Sequence, residues 1–204
     1  MSEVPAAPPA TRADAQRARV VAIAADIFGR RGFRATSMNE IAAAAGLSKP
    51  TLYHYFRSKE EILVLLYTDV LDESLLDARA TVAAAATPLD GIRDLIAARV
   101  AYTCHNARLL TVCFEEEHEI PAALAQQLLN RRAEVEDLFV ATLDEHLRAH
   151  PSLLPGIAPK VFVNACLGAA NWCYKWFNPD GPATPEQLGR QIALAMTAAL
   201  EPAL

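Results

Sequence analysis

Apolar residues recur at helical spacing along almost the whole chain. From Thr11, the residues Ala15, Ala18, Val21, Ala22, Ala25 and Phe28 follow one another at short, mostly three- and four-residue intervals, the rhythm of an amphipathic helix. Thr11 and Asp14 stand at capping-box spacing at its start, and Gly32 ends it. Ser37 and Glu40 cap a short helix that stops at Gly46. Ser48 opens the next, KPTLYHYF, with Pro50 in the first turn, where a missing N–H removes no bond. Ser58 and Glu61 form a further capping box and start a long helix that ends before Pro88. Helices are expected over about 89–103 and 105–118, and Pro121 stands in the first turn of a long charged helix reaching about His150. The three prolines and glycine of PSLLPGIAP break that run. An apolar, aromatic helix then covers 160–177, NPDGPA forms a turn, and a last helix covers about 185–200. The pattern predicts an all-α fold of about nine helices, without strands or internal repeats.

Composition narrows the class. Apolar residues make up 52% of the chain and charged residues 21%, a globular rather than a disordered balance. Residues 2–10, SEVPAAPPA, offer no core face and are expected to form a disordered lead-in. The net charge of -5 argues against bulk attraction to nucleic acid, but its distribution is uneven. Residues 1–60 carry nine Lys/Arg against five Asp/Glu, near +4, whereas the remainder carries ten against nineteen, near -9. That split suits nucleic-acid contact confined to one end. Cys104, Cys113, Cys166 and Cys173 lie in apolar helical stretches with no secretory signal before them, so reduced thiols in a cytoplasmic protein are expected. Charges interrupt every apolar run before the ~18 residues a membrane span requires.

The stretch TSMNEIAAAAGLSKPTLYHYFRSK, from Thr36 to Lys59, carries the sharpest constellation. Three short helices at steep angles need a small apolar core. Ala22, Ile23, Phe28, Phe33, Met38, Ile41, Ala42, Leu47, Leu52, Tyr55 and Phe56 can supply it. Gly46 serves the sharp turn of a helix-turn-helix. The third helix can then lie in a major groove, with Lys49, Thr51, Tyr53 and His54 reaching phosphates and base edges. Helix starts at Ser37 and Ser58 offer backbone N–H groups to phosphates. Lys59, in a first helical turn, opposes the helix dipole, and a phosphate partner would offset this. On periodicity alone the two tyrosines could be core or edge aromatics, and His54 a plain surface residue.

The pieces AADIFGRRGFRATSMNEIAAAAGLSKPTLYHYFRSKEEIL resemble the N-terminal domain of the tetracycline-repressor (TetR) family of transcriptional regulators over about residues 19–66. Gly-Phe-x-x-Thr-Ser, Ile-Ala-x-x-Ala-Gly-Leu-Ser, Thr-Leu-Tyr-x-Tyr-Phe and Ser-Lys-Glu at their spacing carry the likeness. The resemblance implies DNA contacts from Thr36, Ser37, Lys49, Thr51, Tyr53, His54, Tyr55 and Lys59. Pro50 departs from the usual glycine or alanine but is compatible with a first helical turn. The implied organisation is a helix-turn-helix DNA-binding domain over 11–58 and a helical ligand-binding and dimerisation domain over 59–204. A homodimer through the last two helices would match a palindromic double-stranded DNA operator.

In the body, helix 160–177 carries apolar groups on more than one stripe and is expected to be buried on more than one side. Candidate liners of an effector site are Tyr102, Asn106, Arg108, Cys113, Phe114, Phe139, Asn171 and Trp172, with Asn164 a further polar group inside an apolar run. The tail, Asn-Trp-x-Tyr-x-Trp-Phe followed by Asn-Pro-Asp-Gly, is similar to TetR-type repressors of fatty-acid and sterol degradation, which implies an acyl-coenzyme A effector. Lys175 and Phe177 stand where arginine and tyrosine are usual there. Other hydrophobic effectors remain open on these residues.

Chemistry is sparse elsewhere. Glu115, Glu116, Glu117, His118 and Glu119 could hold a metal, but consecutive helical residues point apart, and His-Glu-x-x-His and Cys-x-x-Cys patterns are absent. No cofactor, metal or catalytic residue is expected. The expected function is ligand-responsive repression. An effector-independent or activating DNA-binding protein, and an all-helical enzyme or adaptor, are the alternatives.

Overall fold

A computed structural model describes residues 11–201. The expected lead-in 1–10 lies outside the described residues. Among them the chain forms nine α-helices and no strand: α1 (Arg12–Arg31), α2 (Met38–Ala44), α3 (Lys49–Tyr55), α4 (Lys59–Ala84), α5 (Pro88–His105), α6 (Ala107–Glu115), α7 (Ala122–Ala149), α8 (Pro159–Trp176) and α9 (Pro185–Thr197). A 3-10 turn, Glu117–Glu119, closes α6, and another, Ala198–Leu200, follows α9.

Helix starts follow side-chain chemistry. Thr11 with Asp14, Ser37 with Glu40 and Thr184 with Gln187 each form a complete capping box. Ser58 differs from its expectation. Its hydroxyl caps the Glu61 N–H, but the Glu61 carboxylate accepts from the Arg57 N–H at 2.7 Å, one residue before the cap. Pro121 also differs, since it is the N-cap residue of α7 rather than part of its first turn. The helix expected over 105–118 is shorter, because α6 ends at Glu115 and the chain tightens into the 3-10 turn.

Two apolar cores carry the fold. The first joins α1–α4 to α6 and the start of α7, through Phe28, Phe33, Ile41, Leu52, Phe56, Ile62 and Leu63. Phe28 and Phe33 meet edge to face, with centroids 5.0 Å apart. Ala22, expected in this core, faces an open cleft between α1, α4 and α6, and Val20 and Ala24 take the buried stripe instead. The second core fills the body, where α5 runs centrally against α4, α7, α8 and α9. At the α5–α9 crossing a Cβ on Gly189 would stand 2.4 Å from the Ala97 carbonyl oxygen, so only glycine permits this approach. α8 departs from its expectation within the single chain. Val163, Cys166, Ala170 and Cys173 are buried, but Val161, Ala165, Gly168, Trp172 and Trp176 form an exposed second stripe. No helix among the described residues is long and apolar enough to cross a membrane.

Candidate nucleic-acid interface and ligand cleft

The turn between α2 and α3 closes on backbone chemistry. Gly46 has φ +66, and two bonds bring the chain round: Leu47 N–H to Ala42 O at 2.9 Å and Gly46 N–H to Ala43 O at 3.1 Å. This pair is a Schellman motif, and it needs a left-handed residue at Gly46. Leu47 then packs onto the core. The Ser48 hydroxyl accepts from the Thr51 N–H and meets the Thr51 hydroxyl at 2.7 Å, fixing the start of α3.

Leu52 anchors α3 beneath and Phe56 seals its end. The opposite face presents Lys49, Thr51, Tyr53 and His54 to solvent. The Lys49 ammonium sits 5.9 Å from the Tyr53 ring centroid, as positions four apart on a helix allow. No acidic residue occurs between Gly46 and Ser58. The exposed face is therefore cationic, amphipathic and one short helix wide, matching what a major groove accepts. At the far end Arg17 of α1 donates to the Tyr55 carbonyl at 2.6 Å and lies 4.7 Å from the Phe56 ring centroid. A cation there satisfies an end carbonyl and opposes the negative helix terminus.

The body holds a cleft of about 240 Å³ between α4, α5, α6, α7 and α8, lined by Tyr67, Phe114, Val135, Leu167 and Asn171 among others, with the carboxylate of Glu136 in its wall paired to Lys160 at 3.2 Å and Asn164 at 2.8 Å. Two arginines enter it. Arg99 of α5 is buried, donating from Nε to Asn171 Oδ1 at 2.7 Å and from Nη1 to Ser74 Oγ at 3.0 Å. Burial pulls its pKa below the usual guanidinium value, and nearby Arg132 adds to this. It remains a cation in a protein setting. Arg132 of α7 donates to the Tyr67 hydroxyl at 2.5 Å and to Glu117 Oε2 at 2.8 Å. Burial pushes the Tyr67 phenol up to about 12, so it stays protonated and donates to Glu117. Arg99 also borders a smaller cavity of about 40 Å³ with Leu95, Tyr102 and Phe139.

Family comparison agrees with both halves. Residues 20–66 match the profile described as "Bacterial regulatory proteins, tetR family", and residues 85–200 match "Tetracyclin repressor-like, C-terminal domain". The chain belongs to the TetR family. Among curated relatives, the transcriptional repressor KstR2 of Mycobacterium tuberculosis (strain H37Rv) is 27% identical over 187 residues, covering 89% of this chain and 91% of KstR2. The transcriptional activator FasR of Mycolicibacterium smegmatis is 26% identical over 171 residues, covering 83% and 75%. The crystal structure of PfmR from Thermus thermophilus superposes with a TM-score of 0.79 at 27% identity, over 90% of this chain and 100% of that one.

In this TetR-family regulator the eight expected DNA-facing residues divide. Ser37, Lys49, Thr51, Tyr53 and His54 are exposed, although Ser37 already pairs its N–H and hydroxyl with Glu40. Tyr55 is half-buried against the core. Thr36 is turned inward, 2% exposed, its hydroxyl donating to Gly32 O at 2.8 Å. Lys59 reaches back to the carbonyls of Phe33, Arg34 and Thr36 at 2.8–3.3 Å, and its ammonium lies 4.5 Å from the Phe33 ring centroid. Those carbonyls offset its place in the first turn of α4.

The eight expected effector-site residues scatter further. Phe114 and Asn171 line the larger cleft, while Tyr102 and Phe139 line the smaller cavity. Cys113 is fully buried in the first core, and burial pushes its thiol up to about 12. Asn106 caps α5, its side-chain amide donating to Tyr102 O at 3.0 Å. Arg108 borders the separate cleft beside α1, and Trp172 is 59% exposed on the outer stripe of α8. Asn164 lines the cleft and donates to Glu136 at 2.8 Å. Sequence reading missed Arg99, although a signal was present: Ile92, Leu95, Ile96, Arg99, Val100 and Thr103 form one buried stripe in which a charge is out of place. Arg17, Tyr67 and Arg132 carried no comparable signal.

Proposed function

We propose that this protein is a ligand-responsive transcriptional repressor. As a cytoplasmic homodimer it binds a palindromic operator and is released by a small hydrophobic or acyl-coenzyme A effector. Residues 11–58 act as the DNA-reading domain and 59–204 as the sensing and pairing domain. One observation carries the reading: an acid-free, exposed face of α3 is held rigidly at one end of a chain whose other half contains a cleft with a buried cation. The exposed apolar stripe of α8, with Leu194 of α9 59% exposed, supports pairing through these two helices. A dimer would place two α3 helices to enter successive major grooves, roughly 34–36 Å apart. Effector binding would shift the population away from that spacing.

The test combines a mobility-shift titration on DNA upstream of the protein's own gene with a thermal-shift series of acyl-coenzyme A species. A symmetric footprint, and its loss with the thioester that raises the melting temperature, are the expected results. Specific DNA binding that no effector alters would favour an effector-independent or activating regulator, a reading the activator FasR also supports. For an enzyme or adaptor, sequence-specific DNA affinity at modest salt would be missing. Of the acidic group after α6, Glu115 pairs with Lys175, Glu117 with Arg132 and Glu119 with Arg34, but contrary to the expectation that these residues point apart, the 3-10 turn brings ligand atoms of Glu116, His118 and Glu119 within 4.8 Å of one another.

A further inference from the structure

We propose that the cleft recognises a ligand with an anionic, carboxylate-type head on an apolar body, and that this head competes with Glu117 for Arg132, loosening a clasp on the DNA-reading domain. The inference rests on the reading of the cleft as the effector site.

Arg99 supplies the first argument. It is 8% exposed, and its polar partners are the neutral side chains of Asn171 and Ser74. A buried cation served only by neutral groups is costly, and an anion in the adjoining cavity removes that cost. Arg132 lines the same cleft and does have a carboxylate, Glu117, at 2.8 Å. An anion that draws on both guanidinium groups leaves Glu117 with only the Tyr67 hydroxyl, at 3.4 Å. The apolar walls, Leu71, Phe114, Val135 and Leu167, suit a hydrocarbon body.

The 3-10 turn supplies the second argument. Glu117 meets Arg132 and the Tyr67 hydroxyl, both of which line the cleft, while His118 and Glu119, the next two residues, hold Arg34 of the DNA-reading domain. Arg34 Nε donates to Glu119 Oε1 at 2.6 Å, and Arg34 Nη2 lies 2.7 Å from His118 Nε2. The carbonyls of Arg34 and Thr36 in turn receive Lys59, and Ser37 then caps α2. Glu117 and Glu119 stand two residues apart on one 3-10 turn, so any backbone shift that follows the loss of Arg132 reaches both sides. The cleft and the loop that positions α2 and α3 are thus tied by Glu117 and Glu119.

Calorimetric titration of the full-length protein with octanoate, neutral octan-1-ol and octanoyl-coenzyme A tests the head group. Octanoate should bind about tenfold more tightly than the alcohol. Arg99→Met should remove that preference. Glu117→Gln, which leaves the arginines in place, should tighten octanoate about fivefold because the competitor is weakened. Hydrogen exchange tests the clasp: amides of residues 33–41 should lose protection with octanoate, and in Glu117→Gln without ligand. Equal binding of octanoate and octan-1-ol, unchanged or weaker octanoate binding by Glu117→Gln, or unaltered exchange over 33–41 would overturn the proposal. Tight octanoyl-coenzyme A binding without octanoate binding also overturns it, while leaving the broader effector reading intact. Octanoate binding with no effect on operator affinity would overturn the effector reading, and with it the clasp, leaving only the head-group preference of the cleft.

Discussion

The DNA-reading region and the sensing body are both helical, but they are held by different means. In the first, short helices begin at Ser37 and Ser48 with side-chain caps, turn at Gly46 on a backbone motif, and close over Phe28, Phe33, Leu52 and Phe56. Polar groups are mostly satisfied within a few residues, apart from the longer reaches of Arg17, Arg34 and Lys59. In the body, α5 and α9 are capped by Thr87 and Thr184, but α6, α7 and α8 have no side-chain cap bond, and several polar groups find partners far along the chain. Arg99 bonds Asn171 and Ser74, and His146 meets the Leu200 carbonyl at 2.9 Å. The reading unit is assembled from local rules and the body from long-range packing. A locally bonded scaffold suits the presentation of one fixed helix, whereas the exchange of partners proposed for the cleft needs a body with room and a buried charge.

The sharpest break in the comparison is Phe28→Ala. Phe28 is 1% exposed at the centre of the first core, so truncation should destabilise the protein by about 3–5 kcal/mol and abolish operator binding. Chemical denaturation and a mobility shift read both effects. In the body, Gly189→Ala should cost about 1–3 kcal/mol through overpacking against Ala97, seen as a fall in melting temperature, with α3 chemistry untouched. An unchanged melting temperature would mean that α9 is free to move off α5. Tyr53→Ala should weaken operator binding about tenfold, or ~1.4 kcal/mol, while leaving the melting temperature alone, because the ring is 44% exposed. Lys59→Ala, by contrast, should lower both stability and affinity, since its ammonium ties three carbonyls of the preceding loop. Ser37→Ala should cost about 1 kcal/mol by removing a cap.

The smallest expected effect is pH-dependent. The backbone N–H and hydroxyl of Ser37, helped by Arg31, hold the Glu40 carboxyl below its ordinary value of 4.5. Its folded pKa is depressed, so its contribution is present above about pH 4.5 and lost as pH falls through the lower folded value. Denaturation of Glu40→Gln should therefore show a slightly shallower acid dependence than the parent protein. Identical acid profiles would place the acid sensitivity elsewhere.

Legibility followed the same division. The capping box at Ser37, the turn at Gly46 and the exposed face at Lys49, Thr51, Tyr53 and His54 could be read from neighbours in the chain, because each depends on residues within four or five positions. Thr36 and Lys59 show where that reasoning stops. Both are polar and lie beside the recognition unit, yet both side chains turn inward to backbone carbonyls. The cleft proposed for an effector was less legible, because its lining depends on how α4, α5, α6, α7 and α8 cross. Asn106 and Arg108 belong to the right stretch of chain but look elsewhere, while Arg99 on the neighbouring helix occupies the cleft.

Sequence alone determined the all-α class, the helix starts with few adjustments, the cationic N-terminal unit and the TetR family, since these rest on local caps, periodicity and a closely spaced set of residues. Tertiary structure alone decided which charges are buried, which stripe of α8 remains open and which residues join Glu117 to the cleft and Glu119 to Arg34. The physical reason is range: a cap or a tight turn is complete within a handful of residues, but a buried guanidinium is defined by partners 25 and 72 positions away.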